Sequence, residues 1–146
     1  MSTIHTYSKL VNALLLGNFI WRGGNAYFMV ARGRGVLYRY SYARPIEDIA
    51  VDSLRLVGGM NAAIALMSFL GLRRSVRTQE IRGTELWILA AASFTQCVYH
   101  LSALRSGRWM REIGRIAAVE ALLAIVSFIF ASLTLRYHRN IFIRHD

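Results

Sequence analysis

The chain has 146 residues, which is enough for one domain, and hydrophobic residues make up 55% of it. Charged residues account for 18%, against roughly 25% in an ordinary soluble domain. The net charge is +10, and the arginines stand at the ends of apolar blocks, where they can meet lipid phosphates or acidic partner subunits. They do not gather on one soluble face, which argues against a nucleic-acid-binding protein.

Four apolar segments predict transmembrane helices, at residues 10–30, 54–72, 85–104 and 115–135. Each is close to the roughly 20 mostly apolar residues that a helix needs to cross a hydrocarbon layer of about 30 Å. The first is the least regular, and whether its helix continues through Gly23-Gly24 is left open. The rival interpretation, a soluble bundle, requires a polar face every 3.6 residues, which the second and fourth segments do not show. We therefore expect an all-α fold, a single membrane-embedded domain of four transmembrane helices.

Basic and turn-forming residues separate the four segments. Arg32-Gly33-Arg34-Gly35 predicts a short basic turn, and Arg44-Pro45 is expected to stop any helix before the second segment. Aromatic residues at the borders are typical of an interfacial belt: Tyr38, Tyr40, Tyr42, Trp87, Trp109 and Tyr137. The basic residues are balanced between the two sides, so the orientation stays open.

The border arginines are expected to bind lipid head groups. They are Arg32, Arg34, Arg73, Arg74, Arg105, Arg108, Arg136 and Arg139. The expected ligands are anionic lipids, and a bound phospholipid such as cardiolipin suits these positions.

Four polar side chains fall inside the predicted spans: Arg22, Gln96, His100 and Glu120. One interpretation is an intramembrane proton relay or ligand site. The other is that Arg22 lies near an interface while Glu120 hydrogen-bonds within the bundle or to a neighbouring subunit. One glutamate and one histidine are too few for a hydrolase, and metal chemistry needs three or four convergent ligands. With Cys97 as the only cysteine, we expect no catalytic, cofactor or metal site and no enzymatic activity.

Small residues recur at helical spacing in the second and fourth segments. Helices in lipid associate through close backbone approach at such residues, so they predict tight packing within the chain or onto another protein. The residues are Gly58, Gly59, Ala62, Ala63, Ala117, Ala121, Ala124 and Ala131.

The chain also resembles the ergosterol biosynthetic protein twenty-eight family, small four-span proteins of the endoplasmic reticulum. The matching positions are Gly17-Asn18, Leu37-Tyr38 and Tyr42 before Pro45, Arg55 with Gly58 or Gly59, and Leu86-Trp87. The resemblance implies a scaffold without catalytic activity that tethers the sterol C4-demethylation enzymes in the membrane. The family's third span carries a histidine followed closely by a glutamate; here Gln96 and His100 occupy that region and the glutamate is absent. The Trp-Thr pair that follows the family's glycine in the second span is missing as well.

The expected function is a non-catalytic membrane scaffold or accessory subunit whose partners are other integral membrane proteins. One alternative is an accessory subunit of a respiratory or ATP-synthase complex in the mitochondrial inner membrane. Another is a small transporter or proton-handling protein. The location stays open between the endoplasmic reticulum and the mitochondrial inner membrane.

Overall fold

The computed structural model describes the backbone of residues 2–78 and 82–142 and the side chains of residues 6–78 and 82–136. This part of the chain is helical, as predicted, and contains no β-strand longer than an isolated bridge. The helices are α1 (Ser2–Ala31), α2 (Gly33–Tyr40), α3 (Asp48–Thr78), α4 (Gly83–Arg105) and α5 (Ile113–Phe142). The four predicted spans lie within α1, α3, α4 and α5.

Two antiparallel helix pairs form the body of the molecule. Helix α1 packs along α3, with the rings of Phe19 and Phe69 5.5 Å apart between centroids. Helix α4 packs along α5 in the same way, and there Trp87 meets Phe128 edge-on at 5.0 Å. Each pair therefore resembles a long helical hairpin.

Polar contacts join the two pairs into a bundle. The hydroxyl of Tyr7 on α1 lies 2.6 Å from the hydroxyl of Thr134 on α5. Arg74 on α3 forms an ion pair with Glu85 on α4. Around the bundle the order is α1, α3, α4 and α5, and neighbouring helices run in opposite directions.

The buried face of α5 follows a seven-residue repeat. Its buried positions alternate in steps of four and three: Ile113, Ala117, Glu120, Ala124, Ser127, Ala131 and Thr134. This is the spacing that keeps one seam of a helix turned toward its partners in a bundle. Because most of these side chains are small, the neighbouring backbones can approach closely.

At one end of the bundle, a short backbone contact joins the connection between α2 and α3 to the connection between α4 and α5. Ser41 and Trp109 form an isolated antiparallel bridge. Beside it, the amide of Tyr42 donates to the carbonyl of Arg108 at 2.9 Å, and the amide of Met110 donates to the carbonyl of Tyr40 at 2.8 Å. The segment after α2 is thereby attached to the loop between α4 and α5.

Two local expectations are settled by the backbone. The first helix runs without a break through Gly23-Gly24 and ends at Ala31. The predicted basic turn is wrong from Gly33 onward, because that residue begins α2. Buried Leu37 and Gly33 anchor α2 on its neighbours, and Gly33 lies against Val51 of α3.

Within the described residues, two helices are long and apolar enough to cross a membrane by length and composition. They are Asp48–Thr78 and Ile113–Arg136. Helices α1 and α4 do not reach that hydropathy, since polar residues such as Arg22 and Gln96 interrupt them.

Candidate functional site: a polar network inside the bundle

A buried ion pair lies at the centre of the site. The guanidinium Nη2 of Arg22 on α1 lies 2.6 Å from Oε2 of Glu120 on α5, and both side chains are 0% exposed. The two residues are far apart in sequence, and the antiparallel packing of α1 against α5 places them at the same level. The pair joins the two hairpins through the core.

The same guanidinium contacts the other two long helices. Its Nη1 donates to Oδ1 of Asn61 on α3 at 3.1 Å, and its Nη2 donates to the hydroxyl of Ser93 on α4 at 2.6 Å. Both acceptors are fully buried. Each of the four long helices therefore contributes at least one side chain to a network centred on Arg22.

Neighbouring side chains complete the network. The indole Nε1 of Trp21 donates to Oε1 of Glu120 at 2.8 Å, so both carboxylate oxygens accept a hydrogen bond. Gln96 donates to the Oδ1 of Asn61 at 3.0 Å. Hydrogen bonds to a carboxylate and an ion pair together offset the cost of burying both charges.

Three of the four predicted intramembrane polar residues thus come together in one place, while His100 lies beside the network. His100 stands one turn beyond Gln96 on α4, and its Nδ1 has no partner among the described residues. The Nε of Arg22 is likewise buried and unpartnered there.

The sequence interpretation did not include Trp21, Asn61 or Ser93 in this cluster. A signal existed for Asn61, which shares the inward stripe of α3 with Gly58, Ala65 and Ser68 at spacings of three and four. Ser93 and Trp21 gave no comparable signal, because serine is common among small residues in apolar helices and tryptophan suits many positions.

The predicted packing residues divide into two groups. Gly58, Ala117, Ala124 and Ala131 are buried between helices, and Ala121 is half-buried. The others face outward: Gly59, Ala62 and Ala63.

An apolar groove runs along the outer seam of α1 and α3. Ala62, the exposed member of the Gly58/Ala62 pair, lies in it. Phe19 and Phe69 meet at one end of the groove, and smaller residues continue toward the other. The lining residues are Phe19, Gly23, Ala26, Ala62, Ala65, Leu66 and Phe69.

The arginines predicted to bind lipid head groups are not equivalent. Arg34 is paired with Asp48, and Arg74 with Glu85. The following are exposed and form no ion pair with any described residue: Arg32, Arg73, Arg105, Arg108 and Arg136. The side chain of Arg139 lies outside the described residues.

The chemistry of the buried network is that of charge neutralisation and helix cross-linking. It contains one compensated ion pair surrounded by amide, hydroxyl and indole groups. Across residues 6–78 and 82–136, no group of three or more His, Cys, Asp or Glu side chains is arranged to hold a metal ion. No family model, no curated protein and no solved structure matches the chain.

Proposed function

We propose that this chain is an integral membrane bundle of four transmembrane helices that acts as a non-catalytic scaffold or accessory subunit. The observation that carries the membrane part is the distribution of polar and apolar side chains. The interior holds charged, amide and hydroxyl groups among small and apolar side chains, whereas many large apolar side chains lie on the outside. Water-soluble proteins rarely bury a charged pair and rarely expose so continuous an apolar surface.

Every long helix contributes to the apolar exterior. Ile20 on α1, Leu56 on α3, Phe94 on α4 and Leu122 on α5 are each more than half exposed. In water, an apolar surface of this extent would drive aggregation. In hydrocarbon it carries no such penalty, and the polar groups at the centre of the bundle pair with one another away from lipid.

This arrangement also supports α1 and α4 as spans. Their hydropathy is lowered by residues such as Arg22, Ser93 and Gln96, which belong to the internal network. A polar residue that faces the bundle and has a partner costs far less than one that faces lipid. Hydropathy along the chain therefore understates how well these two helices suit a bilayer.

The hydrogen bonding of the buried ion pair favours a structural role over a role in catalysis or proton transport. Both oxygens of Glu120 are engaged, and Arg22 uses both terminal nitrogens. The two surface depressions described for this part of the chain are lined by other residues, so neither opens onto the pair. A buried ion pair that is held by several hydrogen bonds and closed off from the surface is well suited to holding helices together.

In the proposed scaffold role, partner proteins bind the outer surface of the bundle. The α1–α3 groove combines small residues with flanking phenylalanines, a surface against which a neighbouring transmembrane helix can pack. The resemblance to the ergosterol family points to sterol-demethylation enzymes as partners, and an inner-membrane complex of mitochondria is the alternative. Both would be integral membrane proteins.

Two measurements on the native protein test this proposal. Alkaline carbonate extraction should leave the chain in the membrane pellet, and its release into the supernatant would refute membrane integration. Blue-native electrophoresis after mild solubilisation should show it in a larger complex. Migration only as a free chain of 16.6 kDa in its detergent shell would refute the scaffold role.

A further inference from the structure

A second depression lies at the end of the bundle where α4 gives way to α5. It has a volume of about 520 Å³ and presents both polar and apolar surface. Its lining combines apolar, aromatic and basic residues: Tyr42, Leu104, Gly107, Trp109 and Arg111. We refer to these five residues as the end pocket.

The shape of the end pocket is fixed by backbone contacts. The bridge between Ser41 and Trp109 holds two of its walls together, and the hydrogen bond from Tyr42 to the carbonyl of Arg108 adds to it. Gly107 turns the chain with a φ of 68°, a conformation that glycine adopts readily. Aromatic residues from two separate segments therefore flank the pocket before any ligand binds.

The end pocket is strongly positive. The loop and helix ends from residue 105 to residue 115 carry four arginines and one acid, Glu112. None of these arginines forms an ion pair with a described residue, and Arg111 lines the pocket itself. An unneutralised guanidinium beside a partly apolar cavity complements a ligand with an anionic head.

The apolar part of the ligand follows from the surroundings. Leu104 belongs to the last turn of α4, and exposed Leu101 and Val98 continue an apolar surface along that helix. Tyr42 and Trp109 are residue types that prefer the boundary between lipid and water. The depression thus joins a basic mouth to an apolar track, which matches a head group with attached acyl chains.

We propose that the end pocket binds an anionic phospholipid, with Arg111 contacting the phosphate and the acyl chain lying along Leu104 and α4. This inference rests on the proposed membrane integration of the chain. Arg111, which would contact the phosphate, is not among the border arginines that the sequence predicted to bind lipid head groups.

The test uses the purified full-length chain in a neutral detergent. Native mass spectrometry would count phosphatidylglycerol and phosphatidylcholine bound at equal concentration. We expect phosphatidylglycerol to bind about tenfold more tightly, and Arg111→Gln to remove that preference, since one charge-assisted hydrogen bond is lost. Arg77→Gln is the matched control, because Arg77 is also exposed but lies on α3 at the opposite end of the bundle.

The outcomes separate the possible ligands. Equal effects of Arg111→Gln and Arg77→Gln would overturn the proposal, and so would the absence of any preference for phosphatidylglycerol. Competition by inorganic phosphate at the same concentration would show that a free anion, not a lipid, is the ligand. Unchanged melting temperatures would exclude unfolding as the cause, and carbonate extraction reports separately on membrane integration.

Discussion

The guanidinium of Arg22 is the least expected group in the interior of this protein. A charged side chain at the centre of a membrane helix costs roughly 3 kcal/mol on insertion scales. Here Glu120 neutralises the charge of Arg22, while Asn61 and Ser93 accept hydrogen bonds from its guanidinium. Burial of the two charges is thus tolerated because each compensates the other, and removing either partner would leave an uncompensated charge in the core.

Replacing Glu120 by glutamine should therefore destabilise the bundle strongly. The change leaves the Arg22 charge buried without compensation, which we expect to cost about 3–5 kcal/mol of the free energy of unfolding. Denaturation of the purified chain in mixed micelles, followed by circular dichroism, measures this. The double variant Arg22→Met/Glu120→Leu removes both charges and should recover much of the loss.

Glu112→Gln is the matched control for that experiment, because Glu112 is exposed and should be neutral. Equal stability of Glu120→Gln and the control would contradict the structural role of the pair. The same variant bears on the transporter alternative. Loss of a transport activity with unchanged stability and assembly would favour that alternative over the scaffold.

At this scale the sequence indicated which residues are unusual but not how they are paired. Arg22 and Glu120 stand out because charges inside apolar segments are rare. Their contact depends on the rotation of α1 and α5 about their axes, which polar residues such as Asn61 help to set. The sequence order of the two helices does not reveal that rotation.

At the scale of the helix, Gly58 allows α3 to approach α1 closely. A Cβ atom at this position would lie 2.8 Å from Cγ2 of Val30 and 2.9 Å from Cβ of Met29. Both distances are well below the van der Waals contact distance of two carbon atoms, so a larger residue at position 58 must push the helices apart. The close approach explains why a glycine stands in the middle of a long helix despite its low helix propensity.

We expect Gly58→Ala to lower the free energy of unfolding by about 1–3 kcal/mol, the usual cost of overpacking. The neighbouring Gly59→Ala is the control, since nothing lies within 4 Å of a Cβ at that position. It should be neutral or stabilise α3 by about 0.5–1 kcal/mol. Thermal unfolding in detergent would compare them, and similar losses for both variants would refute the close-packing argument.

The existence of the four long helices could be predicted from the sequence, because long apolar segments separated by basic and glycine-containing stretches leave little choice. Which member of the overlapping pairs Gly58/Ala62 and Gly59/Ala63 faces inward could not be predicted, and only Gly58 is buried. Successive residues on a helix differ by about 100° in direction, so both pairs satisfy the same spacing. Helix α2 was missed because the glycines at 33 and 35 favour a turn locally, whereas buried contacts with α3 stabilise a helix.

At the scale of the whole molecule, the number of membrane crossings can be measured directly. In a Cys97→Ser background, single cysteines at Arg39, Arg77 and Arg108 would report the side of each connection. Four crossings place positions 39 and 108 on one side and position 77 on the other. An impermeant maleimide applied to sealed vesicles should therefore label the first two alike and the third oppositely.

If only α3 and α5 cross the membrane, the pattern changes in a defined way. Positions 77 and 108 would then share a side, because α4 would stay at one surface between them. Position 39 would be labelled oppositely. That outcome would refute the four-span proposal without affecting the helical fold.

The bundle architecture itself was predictable only in part. Short connections favour antiparallel neighbours, and this principle holds for the pair α4–α5. It does not account for the pair α1–α3, whose connection is longer and includes α2. The packing of α1 against α5, which completes the bundle, depends on single contacts between residues distant in sequence, such as the one between Tyr7 and Thr134. Because many helix rotations leave apolar residues on the outside equally well, these few polar contacts select among them.

The ion pair in the core also has a consequence for biosynthesis. Arg22 belongs to α1, and its acidic partner on α5 is synthesised 98 residues later. If α1 enters the membrane as proposed, it therefore carries an unmatched charge until α5 has been made. A chain that stops before α5 would carry a permanently unmatched arginine, a feature by which membrane quality control could distinguish unfinished copies from complete ones.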